Sequence, residues 1–283
     1  MFSNLKNSTI SSLSLYSNNK LLSLKNNQKM KKTDDNAINQ HSKIADFYKF
    51  RPPYTNFFLN EAVKKMGIGK HSILLDLCCG RGELANSFSE HVKLIYAFDG
   101  SGPMLDNRIK RDNIIYNQRD LNNEDFSTPD LADHIIIGSA VHWLEDSSLS
   151  SIINNNLKDN GKVLVTHSFL KYENQAYFNV IRKINSEYKW GKSITVDFTG
   201  TKTLSKCGYR QIDHIHINQE VNFNVEYIIK NQLSYLYGDF YDAVMSDFNN
   251  YKKKMIDALS PLSNNGNLSA KLINWGIIYS ADN

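Results

Sequence analysis

Residues 74–85 read LLDLCCGRGELA, an apolar run that ends in Asp76 and is followed by Cys78, Cys79, Gly80 and Gly82. Two chemistries compete for this stretch. Adjacent cysteines stand too close to supply two ligands of a tetrahedral zinc site, and no CxxC spacing or histidine partner pattern accompanies them. No metal site is expected, and a redox role is the lesser alternative. The other chemistry is ligand binding at a strand-to-helix turn. Glycines without a Cβ let backbone approach a ligand and take positive φ. An aspartate at the strand tip can accept from a ligand cation or from the amides of the turn. The spacing D-x-x-x-G-x-G is not the dinucleotide fingerprint G-x-G-x-x-G, which the chain lacks. A glycine turn with no ligand stays open on this stretch alone.

A second acid narrows the choice. The run Leu94–Phe98 ends in Asp99, 17 residues after Gly82. An acid at the tip of the second strand can bind both hydroxyls of a ribose. His142 is the histidine best suited to act as a general base, since imidazole titrates near neutral pH. Its competing role is to shape a pocket wall beside Trp143. His41, His134, His167, His214 and His216 sit in no supporting motif.

The elements that must position these residues are short. Ser72–Leu77, Leu94–Phe98, Ile114–Tyr116, His134–Ile137 and Lys162–His167 read as buried parallel strands, being apolar and rich in Ile, Leu and Val. Glu83–His91 and Gly102–Lys110 read as helices after the first two. Ser147–Leu157 reads as a helix before the fifth, with a turn at Asp159-Asn160-Gly161. This alternation predicts a parallel sheet with helices on both faces, an α/β architecture. Farther on, Tyr172–Trp190 reads as a helix. Tyr209–Ile217 and Glu220–Val225 read as two strands joined at Asn218-Gln219. Val225–Tyr237 and Phe240–Leu259 read as helices, and Leu272–Tyr279 as a last strand.

Together, LLDLCCGRGEL, YAFDGSGPMLDN, NQRDLNNEDF, ADHIIIGSAVHWLED and LKDNGKVLV resemble the class I S-adenosylmethionine-dependent methyltransferases, over roughly 48–165. The leading FYKFRPPYTNFFLNEAV is similar to that of a small-molecule branch that includes the trans-aconitate and quinone-biosynthesis enzymes. The resemblance implies a Rossmann-like fold: a mostly parallel seven-stranded sheet with an antiparallel C-terminal strand. It implies S-adenosylmethionine as cofactor and a small-molecule acceptor. Asp76, Gly80 and Gly82 would line the methionine end, with Asp99 on the ribose. Met104 would pack near the adenine, and Asp120 with Leu121 would face its amino group. Ser139 and His142 would lie toward the methyl group. Tyr48 and Arg51 would close over the cofactor, and Arg51 could meet a carboxylate bidentately. The family usually has glycine where this chain has Cys78, and both cysteines read as small residues of the turn. The prolines of RPPY at Arg51–Tyr54 precede the first strand, so they do not carry the motif of base N-methylation.

Composition sets outer bounds. The net charge of +4 resides in residues 1–40, which carry six lysines against two aspartates; the remainder balances to zero. A neutral body argues against nucleic acid as the main partner. Three cysteines cannot form a disulfide framework, which fits a reducing compartment and a cytoplasmic location. No apolar run approaches the ~20 residues of a membrane span. Residues 1–40 read as a disordered tail, with a transit peptide or a start at Met30 as alternatives. Residues 41–283 read as one domain, and 171–260 as the elements that cover the acceptor. That segment has little pattern, so acceptor, methylated atom and oligomeric state stay open. Two other readings remain open: a catalytically silent member of the same fold, and a nicotinamide-dependent oxidoreductase.

Overall fold

The computed structural model describes residues 35–189, 197–236 and 238–282. Seven strands form one sheet: β1 Ile73–Leu77, β2 Leu94–Asp99, β3 Ile114–Gln118, β4 Ala132–Gly138, β5 Leu157–Lys171, β6 Tyr209–Asn224 and β7 Asn267–Ala281. Their order is β3-β2-β1-β4-β5-β7-β6, and β7 alone runs antiparallel to its neighbours. The order reverses between β1 and β4, and such a switch point opens a crevice at the carboxyl ends of the strands.

Side chains alternate across the sheet, so each strand feeds two cores. Leu75, Leu77, Ile135 and Ile137 face one side and pack with Leu149, Ile152 and Ile153 of α6 (Asp146–Asn156) and Leu204 of α8 (Thr201–Lys206). Leu74, Ile95 and Ile136 face the other and pack with Phe58 and Ala62 of α3 (Asn56–Met66) and Leu84 and Phe88 of α4 (Glu83–Phe88). Asp76 lies two residues from Leu74 and so points to the α4 side. Helix α3 starts at Thr55, whose hydroxyl accepts from Phe58 N at 3.3 Å. It stops at Gly67, where φ is 78°.

A third core joins the leading segment to the C-terminal half of the described residues. Ile44, and Ala45 from α2 (Ala45–Tyr48), pack with Met104 of α5 (Gly102–Asp106). The same cluster takes in Tyr177 and Ile181 of α7 (Gln175–Glu187), Ile228 and Ile229 of α9 (Val225–Leu233), and Met255 of α11 (Phe248–Leu259). Helix α10 (Gly238–Ser246) adds Phe240 and Val244. The segment 171–260 thus packs over the leading segment. Helix α1 (Asp35–Lys43) begins inside the stretch read as tail. Residues 1–34, Trp190 and Tyr237 lie outside the described residues. Among the described residues no helix is long and apolar enough to cross a membrane.

Four sequence expectations need correction. The two strands expected at 209–225 are one, β6, whose pairing with β7 runs through Asn218↔Ile273 and Gln219↔Leu272. A polar pair without Gly or Pro does not break an edge strand, where polar side chains face solvent. The turn at Asp159-Asn160-Gly161 is absorbed into β5, where the register with β4 shifts between Ala132 and His134. Helix α5 ends at Asp106 rather than Lys110. Ile109 N donates to Arg81 O at 2.9 Å and Tyr116 OH donates to Ile109 O at 2.7 Å, drawing the chain back to the glycine turn. The helix expected over Phe240–Leu259 breaks at Asp247, where φ is −132°. There the Asp247 carboxylate accepts from Tyr188 OH and Asn250 Nδ2, each at 2.9 Å.

Candidate functional site

Strand β1 delivers Asp76 fully buried, with Oδ2 accepting from Ala85 N at 3.1 Å. Its Oδ1 meets no donor. Burial pushes this carboxyl well above the ordinary aspartate range, and the neighbouring Asp99 and Glu83 charges add to the rise. The chain then turns through Cys78 at φ 55°, Gly80 at φ 60° and Gly82 at φ 87°. Left-handed backbone is costly for any residue with a Cβ, so Cys78 holds this turn in a conformation that favours glycine. A Cβ on Gly80 would come within 3.2 Å of the Tyr48 ring, so that glycine lets Tyr48 lie on the turn. Gly82 answers to Tyr116 instead, whose hydroxyl would stand 2.0 Å from a Cβ there. Burial raises both the Cys78 and Cys79 thiols, which keeps them protonated and unreactive.

Asp99 ties the loops together. Its Oδ2 accepts from Gly80 N and its Oδ1 from Ser101 N, both at 2.8 Å. A carboxylate has about four lone-pair sites, so each oxygen keeps capacity for a hydroxyl donor. Burial nevertheless raises its pKa. Helix α1 lies across this edge. Ser42 Oγ is 2.8 Å from Ser101 Oγ, and the His41 ring meets Trp143 edge-on at 5.2 Å.

The leading loop comes next. Asn274, fully buried on β7, accepts from Thr55 N at 2.8 Å and donates to Pro53 O at 3.1 Å. Ser168 Oγ donates to the same carbonyl at 3.0 Å. This anchor holds RPPY against the strand ends. Arg51 lies between two rings, 4.4 Å from the Tyr48 centroid and 4.7 Å from that of Tyr235. Its Nη2 donates to Ser234 O at 3.0 Å. Stacking on both faces suits a guanidinium and joins the leading loop to the C-terminal segment.

Beyond β4, Ser139 also has left-handed backbone, at φ 58°. Strain of this kind gathers at functional sites. Its side chain bonds to His167 Nδ1 and to the Tyr54 hydroxyl, forming a chain Tyr54–Ser139–His167. Burial lowers the His167 pKa to about 3, and the nearby Arg51 and His142 charges act in the same direction. His142 lies in the short turn Val141–Trp143, with the Phe198 ring 4.9 Å away.

One cavity of about 40 Å³ gathers Tyr48, Arg51, Asp76 and Ser139, joined by Tyr54, Cys78, Glu83 and Ser168. The other expected residues stand outside it. Met104 is 1% exposed and packs with Ile44 and Ala45. Leu121 is buried beside Phe98 and Phe126. Asp120 folds its own loop, accepting from Asn122 N at 3.1 Å and from Asn123 Nδ2 at 2.7 Å. Sequence reasoning missed Tyr54, Glu83, His167 and Asn274. The β4–β5 register Gly138↔Thr166 brings Ser139 beside His167, so a strand-end alignment would have found that pair. A larger groove between α3 and β6, lined by Phe57, Lys65, His214 and His216, holds none of the expected site residues.

No family model and no curated protein matches the sequence. Solved structures do. A proposed type II methyltransferase from Anaeromyxobacter dehalogenans aligns with a TM-score of 0.59 at 11% identity, over 82% of this chain and 97% of that one. A proposed methyltransferase from Bacillus halodurans aligns at 0.46 and 17% identity, over 78% and 97%. The MccD protein aligns at 0.48 and 14% identity, over 82% and 99%. Likeness at such identities speaks for fold, and the strand order with its antiparallel β7 says the same: the chain has the Rossmann-like fold of the methyltransferases.

Proposed function

We infer that the chain is an S-adenosylmethionine-dependent methyltransferase acting on a small-molecule acceptor. The observation that carries this reading is the cavity at the β1/β4 switch point, into which a fully buried Asp76 brings an oxygen without a donor. An unpartnered buried acceptor is expensive, and a cationic ligand group removes the expense. Gly80 and Tyr48 form the turn side of the cradle. Asp99, at the tip of β2, is the candidate for the ribose hydroxyls. Met104, Asp120, Leu121 and Gly82 act in this reading by shaping loops rather than by facing the cavity.

When bound, the cofactor supplies a methyl group already activated on a sulfonium. The chain need mainly hold donor and acceptor in line and exclude water. Helices α7 to α11, within 171–260, would cover the acceptor, and Arg51 between Tyr48 and Tyr235 fastens that cover to the leading loop. His142 is the candidate to take a proton from the acceptor. His167 stays neutral and orients Ser139 and Tyr54 at the same edge. Residues 41–283 act as one domain in this reading, with the acceptor, rather than nucleic acid, as partner. The cytoplasm is the proposed location.

A second reading, a catalytically silent member of the fold, draws support from Asp99 and Asp120, whose carboxylates already serve their own loops. Calorimetry separates the two. Wild type should bind S-adenosylhomocysteine at micromolar Kd, about −8 kcal/mol, and should not bind NADH. Asp99→Asn, which keeps one acceptor for the loop, should weaken S-adenosylhomocysteine tenfold or more. Absence of binding to well-folded wild type overturns the enzyme reading.

A further inference from the structure

The cavity holds more acid than the fold needs. Glu83 lines it from the first residue of α4, together with Arg51 and Asp76. Both Glu83 carboxylate oxygens are buried, and neither receives a hydrogen bond. Arg81 Nε stands 3.5 Å from Oε1, but its N–H is given to the Asn107 carbonyl at 2.9 Å. The amides of Arg81 and Glu83 lie close without completing a bond. An acid in the first turn of a helix gains from the dipole while fully solvated, so the dipole does not account for burying it. With Asp76 Oδ1, three buried oxygens therefore surround one small space without a completed hydrogen bond.

The space defines its ligand. A cavity of about 40 Å³ has room for roughly three water-sized groups, the size of an amino-acid head. A primary ammonium offers three donors, one for each oxygen. Arg51, which also lines the cavity, supplies the countercharge for a carboxylate. Two acids and a guanidinium around one small cavity match a zwitterion.

We propose that Glu83 is a specificity residue which, with Asp76, holds the α-ammonium of the cofactor's amino-acid end while Arg51 faces its carboxylate. This rests on the cofactor reading above and adds a residue to it. Glu83 then makes the site demand the ammonium, so that adenosine thioethers without it are rejected.

The test is calorimetry on the full chain, wild type and Glu83→Gln, with S-adenosylhomocysteine and with its deamino analogue. Wild type should prefer S-adenosylhomocysteine at least tenfold. Glu83→Gln should lose about tenfold toward S-adenosylhomocysteine and bind the analogue within twofold of wild type. That second number also reports that the variant is folded. Equal weakening toward both ligands would make Glu83 structural and overturn the proposal. Unchanged S-adenosylhomocysteine binding would overturn it too, leaving Glu83 as a partner of Arg81. If wild type binds neither ligand, the cofactor reading itself falls, and the role of Glu83 with it.

Discussion

Replacing Asp76 by asparagine should make the ligand-free protein more stable while weakening its ligand. The wild-type carboxyl is fully buried, spends one oxygen on Ala85 N, and leaves the other without a donor. Asparagine keeps an acceptor for Ala85 N and turns a donor toward Glu83, removing an uncompensated acceptor worth about 1–3 kcal/mol. For a chain of this size that is a rise of roughly 2–8 °C in Tm. The pH dependence fixes the cause. Burial raises the folded pKa of Asp76 above the unfolded value of about 3.9. The folded state then binds the proton more tightly, so wild type loses stability as pH rises above the unfolded value, up to the folded pKa. Asparagine does not titrate. The stability gap should therefore be small near pH 4 and wide at pH 7.5, and thermal unfolding followed by circular dichroism at both pH values measures it. Added S-adenosylhomocysteine should raise the Tm of wild type more than that of Asp76→Asn. A variant less stable at pH 7.5, or a gap that ignores pH, would mean the carboxylate is ionised and partnered when folded, and the reasoning about the cavity would be wrong.

Two further outcomes follow from the same geometry. Cys78 holds φ at 55°, so Cys78→Gly should relieve left-handed strain and stabilise by about 1 kcal/mol net of the added chain entropy; urea unfolding checks it, and a loss of stability would point to packing of the thiol instead. His134 and His167 are held neutral by burial, with pKa values lowered to about 4 and about 3. Their contribution is complete above the unfolded value of about 6.5 and falls away as pH drops below it, by up to about 2 kcal/mol each at pH 5. Histidine ring signals in NMR that titrate near pH 6.5 for either residue would refute that.

Much of the fold was legible because buried parallel strands write themselves as short apolar runs. Ile73–Leu77 is buried at all five positions, and no polar face confuses its reading. The C-terminal half was harder. Strand β6 is largely exposed at the sheet edge, with Tyr209 and Ile215 its buried positions, and Asn218-Gln219 looks like a turn until Ile273 and Leu272 are seen opposite. Register with a strand about fifty residues away is not a local property. The break at Asp247 is similar, since Tyr188 on another helix supplies its donor.

The site divides along the same line. Asp76, Gly80 and Asp99 are local to one turn and its neighbouring strand tip, and their spacing made them candidates. Glu83, Tyr54 and His167 become candidates only through tertiary placement. Helix-start acids are ordinarily solvated, yet Glu83 is turned inward. His167 carries no motif, yet the β4–β5 register sets it against a strained Ser139. Chemistry on a backbone turn leaves a local pattern, whereas chemistry assembled from separate strand ends leaves scattered polar residues in apolar runs. The charge balance of the cavity is of the second kind. Asp76 is supplied by β1, Glu83 by α4 and Arg51 by a loop that Asn274 pins from β7, more than two hundred residues away. A change at Asn274 would therefore shift Arg51 against both acids, and so alter ligand affinity, without touching any residue of the glycine turn.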